Sequence, residues 1–353
     1  MKEGHYSANG EAMNTFFKRI KSETRLLNPL KDFSLDEILF EIRYDPLTGE
    51  TGRVFDLPYK PPDRLDIEET IQRSRETFCP FCPDKLEKST PLFPKDFIPE
   101  GRIREGQAIL IPNLVPFDRY AGVSILSGEH YIAIEDLTPE RIRDAFSAAL
   151  LFIRRVVDFD PQVKFFYINW NYMPQSGSSM VHPHLQVSCG DVPTNHHRLQ
   201  IEGCKRYLNE NGKSFWQDFM NAEKECQERY IGEIGSTFWS MSYVPQTFWP
   251  DIWCIFSEHY SLTQLGMEEL ANFLQGLSRV LRYFGKENIP AFNMSIFSVK
   301  EDEDFRINAR ISPRLLTQPI GNSDRAYFQT LHKEPYAVRP PESICPKVRE
   351  SFT

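Results

Sequence analysis

The sequence predicts an α+β fold in which one plan is used twice in tandem. Two observations carry this. Strand-like and helical stretches follow one another in the same order in both halves of the 353-residue chain, and a Glu-His-Tyr triplet stands ahead of the long helix each time. The simplest architecture is two copies, each an antiparallel sheet with one long helix.

In the first copy, AILIPNL (108–114) and GVSILSG (122–128) read as short buried strands. Gly128-Glu129-His130-Tyr131 follows, then a helix through LTPERIRDAFSAALLFIRRVVDF, capped by Thr138 with Pro139 at its first position. The strands VKFFYINWNY (163–172) and VHPHLQVS (181–188) complete the copy, joined by a Gly/Ser loop. In the second copy FWSMSYVPQ and DIWCIFSEHY are strand-like. MEELANFLQGLSRVLRYFG is a helix with Gly285 near its end, and AFNMSIFSV and RINARISP are strands. His130 lies 52 residues before His182, and His259 lies 49 before Asn308. The boundaries implied are a polar, partly helical lead-in at 1–35, a first copy at 36–200 and a second at 201–353. Within the first span, ILFEIRY (38–44) reads as a strand before the turn DPLTGE, and 57–66 as a proline-rich loop.

Hydrophobic residues make up 41% and aromatics 13%, as in a packed globular protein. The formal net charge of −8 sets a nucleic-acid binder aside, while a local positive pocket for a phosphate-bearing small molecule remains compatible with it. No run approaches the 18 or so apolar residues of a membrane span, and the N-terminus lacks the apolar core of a secretory signal. The seven cysteines are scattered apart from one close pair, which fits a reducing cytoplasm with a metal half-site.

Three motifs carry chemistry. In a strand, His182, His184 and Gln186 of His-Pro-His-Leu-Gln face one way, a poor core stripe and a good site. Cys79-Pro80-Phe81-Cys82 can grip one zinc ion, with His130 and one of the two strand histidines as the best further ligands. A redox dithiol needs that motif to open a helix after a strand, whereas the text after Cys82 reads as loop. The loop from Asn171 to Ser179 holds Gly177, where backbone can approach a ligand, with small neighbours able to donate to phosphate oxygens. His196-His197 reads as solvated loop, KEDEDFR (300–306) as an exposed loop, and the five tryptophans as core or interface.

Together these motifs resemble galactose-1-phosphate uridylyltransferase, in the nucleotidyl transferase branch of the histidine-triad superfamily. The resemblance runs from about Ile42 to Pro341. It includes Arg43-Tyr-Asp-Pro-Leu-Thr-Gly-Glu50 and the ungapped text from Asn171 through Gly177, Ser179 and His182-Pro-His184-x-Gln186. It implies a duplicated histidine-triad-like fold, two antiparallel sheets forming a half-barrel with flanking helices, in a homodimer. It implies His184 as the nucleophile and Gln186 as a hydrogen-bonding partner of the phosphoryl oxygens. Asn171, Gly177, Ser178 and Ser179 would hold substrate phosphates, and Asn113 would lie near the nucleoside. Cys79, Cys82, His130 and His182 would bind zinc. The implied reaction moves a nucleoside monophosphate, UMP in the commonest case, from a nucleoside diphosphate sugar to a hexose 1-phosphate through a covalent nucleotidyl-His184. The alternative is phosphorolysis of a nucleoside diphosphate sugar or dinucleoside polyphosphate. The sequence departs from the pattern at Asn308 and Arg310, near Gln200, and near Gln329-Thr330, so no second metal site is expected and galactose is not indicated.

Overall fold

The computed structural model describes residues 16–59, 67–315 and 323–353. Part of the lead-in, most of the proline-rich loop and Leu316 therefore lie outside the described residues. Along the chain come β1 (Arg19–Asn28), β2 (Ser34–Tyr44) and β3 (Thr51–Phe55), then helices α1 (Glu68–Glu76) and α2 (Pro83–Ser89). Next are β4 (Ile103–Glu105), β5 (Ala108–Pro112), β6 (Tyr120–Ile125), α3 (Pro139–Phe159), β7 (Phe165–Tyr172) and β8 (His184–Gly190). They are followed by α4 (Asn195–Asn211), α5 (Phe215–Cys226), β9 (Tyr230–Ile234), β10 (Thr237–Met241), β11 (Ile252–Phe256) and α6 (Met267–Lys286). The chain closes with β12 (Ala291–Val299), β13 (Asn308–Arg314), α7 (Tyr327–Leu331), β14 (Tyr336–Ala337) and α8 (Pro341–Glu350).

The α+β class and the duplication hold. The division between sheets is different from one sheet per copy. Ten strands form a single sheet in the order β4-β5-β6-β8-β7-β12-β13-β11-β10-β9, which is the same sequence of counterparts read from either end. The copies join where β7 pairs antiparallel with β12, because both strands would otherwise be edges with unmet backbone donors and acceptors. The second sheet, β1-β2-β3-β14, is built from the chain's two ends. The partly helical lead-in is corrected here. Over residues 19–28 it is a strand pairing with β2 in ten-residue register, since a neighbouring strand supplies ladder partners that a local helical reading cannot see.

One face of the large sheet is apolar. Ile168, Trp170, Leu185, Val187, Phe292, Met294 and Ile296 pack there beneath α3 and α6 in a single core. The helix α6 buries Leu270, Phe273, Leu274, Leu277, Leu281 and Phe284 at helical spacing, each contributing about 1.5–3 kcal/mol of apolar burial. Pro139 opens α3 as expected, while Thr138 stands at the cap without a side-chain cap bond. After α6 the left-handed turn residue is Asn288 (φ 57°) rather than Gly285. The five tryptophans are all buried.

The other face is polar. Residues opposite one another on paired strands point to the same side, so the register defines rows across it. One row runs Gln186, Asn169, Ser295, Arg310 over β8, β7, β12 and β13. The next contains Asn171, Asn293 and Ser312. Around the second copy this face is covered by α4 and α5 with Phe215, Trp216, Phe219, Trp253 and Phe305.

Candidate active site

Chain direction places His184 at the start of β8, opposite Ile125 of β6, and Gln186 two residues on, opposite Val123 and Asn169. Strand alternation therefore covers His184 and Gln186. The strand does not include His182, which lies in the irregular turn ahead of it, where Pro183 supplies no ladder donor. From that turn the His182 ring enters a cluster with Cys79, Cys82 and His130, whose ligand atoms all lie within 4.8 Å of one another. The sulfur of Cys79 is 3.7 Å from His182 Nδ1, and that of Cys82 is 3.3 Å from His130 Nδ1 and 3.9 Å from His182 Nδ1.

Hydrogen bonds set both imidazoles for ligation. His182 Nε2 donates to the Ser127 carbonyl at 2.8 Å, which leaves the lone pair on Nδ1. The Ser74 hydroxyl donates to the Ile71 carbonyl at 2.7 Å, so it accepts from His130 Nε2 at 2.8 Å and leaves that Nδ1 free as well. Both lone pairs face the thiols. Sulfur–nitrogen separations of 3.3–3.9 Å bracket the roughly 3.6 Å expected for two ligands on one tetrahedral ion with Zn–S near 2.3 Å and Zn–N near 2.05 Å. The residues therefore fit a metal ion. Burial holds His182 at about 4, hence neutral, while burial and the Cys79 thiol beside it push Cys82 up to about 11. A cation between them reverses the second effect.

The text after Cys82, read as loop, is helical: Cys82 is the N-cap of α2 and Pro83 its first residue. Proline at the first position suits a helix start, which the proline-rich sequence disguised. The motif thus opens a helix, but α1 rather than a strand comes before it, and both thiols face imidazoles.

His184 is prepared differently. Its Nδ1–H donates to the His182 carbonyl at 2.8 Å, so the Nε2 lone pair is available, and among the described residues no hydrogen bond engages it. Burial lowers its pKa and keeps the ring neutral. Phe81, from the Cys79–Cys82 turn, lies edge-on to the His184 ring at 5.2 Å between centroids. The Cys79–Cys82 turn thus packs directly against the His184 ring, a contact that the motif's spacing did not announce.

The loop between β7 and β8 leads from Asn171 to this turn. Gly177 takes φ 91°, a conformation that side chains rarely adopt, and a Cβ there would meet nothing within 4 Å. Gly177 and Ser179 are exposed, whereas the Ser178 hydroxyl turns inward and donates to the Met180 carbonyl at 2.6 Å. Asn113 caps the turn after β5, its side-chain oxygen accepting from Val115 N at 3.0 Å, and no contact joins it to His184 among the described residues.

Residues of the second copy complete the polar face, and the sequence reading did not single them out. Asn293 Nδ2 donates to Asn171 Oδ1 at 2.6 Å and to the Ser176 carbonyl at 2.8 Å, while its Oδ1 accepts from Arg314 at 2.8 Å. The alternation Asn293, Ser295 in AFNMSIFSV was the available signal. Asn308, Gln200 and Arg310 are buried and bonded to neighbours. Asn308 Oδ1 accepts from Gln200 at 3.1 Å and from Trp253 Nε1 at 3.0 Å, and Arg310 reaches Asp251, Asp45 and Ser242. The solvated-loop reading of His196-His197 is corrected. They lie in the first turn of α4, and His197 is fully buried against Phe297 and Phe305 with Nδ1 at 3.0 Å from Tyr167 Oη. A polar pair in sequence gave no hint that one of its rings would cap an aromatic core.

No family model matches the chain. An uncharacterized protein of Archaeoglobus fulgidus is 31% identical over 336 residues, 94% of this chain and 98% of its own. The two proteins belong to one family. The structure of an ADP-glucose phosphorylase from Arabidopsis thaliana with bound ADP-glucose is similar at a TM-score of 0.67 and 19% identity, covering 88% of this chain and 99% of that one. A GalT-like protein of the same plant gives 0.68 and 20%, covering 88% and 98%. This chain shares the fold of these two proteins. No helix among the described residues is long and apolar enough to cross a membrane.

Proposed function

We propose that the protein is a nucleotidyl transferase in which His184 carries the nucleotide. The observation that supports this most is the orientation of His184: a neutral ring, Nδ1–H pinned to the His182 carbonyl, with Nε2 left without a hydrogen bond among the described residues. The Nε2 lone pair attacks the α-phosphorus of a nucleoside diphosphate sugar. The bond from that phosphorus to the bridging oxygen breaks, and the sugar 1-phosphate leaves with the electron pair. The His182 carbonyl then faces a cationic ring and stabilises it. An oxygen of a second phosphate compound attacks the same phosphorus, the P–N bond breaks, and neutral His184 returns. Asn171, Gly177 and Ser179 are assigned to the substrate phosphates and Gln186 to the phosphoryl oxygens. Glutamine has no titrating proton to give a leaving group, which favours transfer over hydrolysis.

Cys79, Cys82, His130 and His182 are assigned to zinc. When bound, it would fix the turn that presents His184 rather than polarise the substrate. Asn113 is assigned to the nucleoside side. The acceptor is a hexose 1-phosphate or inorganic phosphate. The fold shared with an ADP-glucose phosphorylase supports inorganic phosphate as the second acceptor to test. Seven free cysteines suit a reducing compartment. The exposed Leu27, Leu30, Phe33 and Leu35 at the tip of the β1–β2 ribbon support a homodimer.

The test is to incubate the metal-loaded protein with α-labelled nucleoside diphosphate sugars and look for acid-labile, base-stable label on the chain. Label absent in His184→Ala is the expected result. No label with any donor overturns the proposal.

A further inference from the structure

Phe81 touches both histidines of the His182–His184 turn. Its ring centroid is 5.2 Å from that of His184, with 64° between the planes, and 6.0 Å from that of His182, with 88°. The backbone on either side of it is tied down. Cys82 is the N-cap of α2, and its carbonyl accepts from Leu86 N at 2.9 Å. The Cys79 sulfur lies 3.7 Å from His182 Nδ1. The place of the Phe81 ring is therefore set by a short turn and by the cluster at its two ends.

The His184 ring needs such a boundary. Its hydrogen bond, from Nδ1–H to the His182 carbonyl at 2.8 Å, holds one corner of the imidazole. The torsion between Cβ and an imidazole is broad, so a ring held at one corner still swings and carries Nε2 along an arc. Contact with Phe81 stops that swing on one side.

Space on the other side of Phe81 makes the contact informative. The ring lines a cavity of about 260 Å³ together with Pro83, Leu86, Ile109 and Ile125. Ile125 stands opposite His184 on the ladder and Ile109 opposite Ile125, so the cavity follows the same row of the sheet as His184. An apolar ring gains contacts by closing such a space. Phe81 packs on the neighbouring cluster of Leu86, Ile111, Val123 and Ile125, yet it keeps its place against the imidazoles and leaves the cavity open.

We propose that Phe81 is a positioning residue for His184: it holds the imidazole where Nε2 can meet the reacting phosphorus, and it links that ring to the cluster of Cys79, Cys82, His130 and His182. The effect on rate rests on the reading of His184 as the residue that takes the nucleotide, whereas the restraint on the ring does not. Attack needs the reacting atoms about 3–3.5 Å apart and aligned, and a displacement of about 1 Å costs on the order of a hundredfold.

The experiment compares the metal-loaded full-length protein with its Phe81→Leu and Phe81→Tyr variants. Leucine keeps an apolar side chain on the cluster and gives up the flat ring, and tyrosine keeps the ring. Single-turnover labelling with α-labelled UDP-glucose and ADP-glucose gives the rate and the half-saturating donor concentration. The nitrogen NMR spectrum of the imidazoles reports the tautomer of His184, whose signals are assigned by their loss in His184→Ala. Wild type is expected to show one His184 tautomer, with the proton on Nδ1. Phe81→Leu is expected to keep its metal and to label about 10- to 100-fold more slowly, with the half-saturating concentration within about threefold of wild type. Its His184 signals should move to the average of two tautomers, and Phe81→Tyr should restore both readouts. An unchanged rate and spectrum in Phe81→Leu overturn the inference. So does a slower rate with an unchanged His184 spectrum, which assigns Phe81 to the substrate, and so does loss of metal from Phe81→Leu, which assigns it to the cluster alone. If wild type takes no label from either donor while the His184 signals still depend on Phe81, the transfer reading fails and the restraint stands.

Discussion

Asn169 and Ser295 face each other at the middle of the seam between the two copies, with the Ser295 hydroxyl donating to Asn169 Oδ1 at 2.8 Å. One belongs to β7 and the other to β12, the strands that correspond in the two copies. The approximate twofold relation of the sheet passes close to this pair. On one side of it lies Gln186, on the other Arg310, in one cross-strand row. The same framework thus presents Gln186 in one copy and Arg310 at the corresponding place in the other.

His184→Ala removes the proposed attacking nitrogen together with the ring's bond to the His182 carbonyl and its edge-on contact with Phe81. Transfer should fall by about 10⁴-fold or more, with no covalent label, while the melting temperature stays within a few degrees of wild type. Rapid-quench labelling alongside calorimetry checks both.

Removing the metal, or changing Cys82 to Ser, should cost stability as well as activity, because the cluster ties α2, the His130 segment and the His182 turn together. Four pre-aligned ligands without an ion leave two thiols and two lone pairs facing one another, and the loss should be several kcal/mol. Chemical denaturation with and without chelator measures it. An unchanged midpoint would show that the cluster holds no structural ion.

Asn293→Leu keeps the branched shape of the side chain, with somewhat more bulk, and deletes its bonds to Asn171, the Ser176 carbonyl and Arg314. The loop that carries Gly177 loses its support from the second copy. The expected result is a rise of about tenfold or more in KM for the phosphate-bearing donor with a smaller change in kcat. Steady-state kinetics separates the two.

Burial alone would raise the Glu342 carboxyl, but Arg43 and Arg229 outweigh it and hold its pKa at about 2. Its folded value therefore lies below the unfolded one. The stabilisation is fully present above about pH 4.5 and is lost as pH falls toward 2, on the order of 3 kcal/mol in all. Urea unfolding of wild type and Glu342→Gln across that window tests the sign: the two curves should converge at the acid end.

Gly276→Ala in α6 would drive a Cβ to within 2.2 Å of Trp239 Cζ2, where the ring is fully buried and has nowhere to move. Overpacking of this kind costs about 1–3 kcal/mol. A thermal melt should register it without any change in labelling of His184.

What the sequence disclosed was what local periodicity records. The full set Cys79, Cys82, His130 and His182 and the role of His184 were implied by the resemblance, whereas long helices at 139 and 267 and short apolar strands were legible because their spacing is written in neighbouring residues. The single ten-stranded sheet was not, since the pairing of β7 with β12 joins residues more than a hundred positions apart. Asn293 and Ser295 stayed hidden for the same reason: their alternation is visible, but its meaning depends on Asn171 and Asn169 lying opposite. His197 was misjudged because Tyr167, Phe297 and Phe305, which enclose it, come from three separate places in the chain.

Fusing the copies along β7 and β12 also changes how the chain meets its neighbours in a crowded solution. Two separate five-stranded sheets would offer four open edges, and the joined sheet offers two. One is β4, only three residues long. The other is β9, where Cys345 and Arg349 of α8 bond the Tyr230 carbonyl and occupy part of the edge. Short or occupied edges template strand addition poorly. Joining the copies therefore also removed half of the open edges that this sheet would otherwise present.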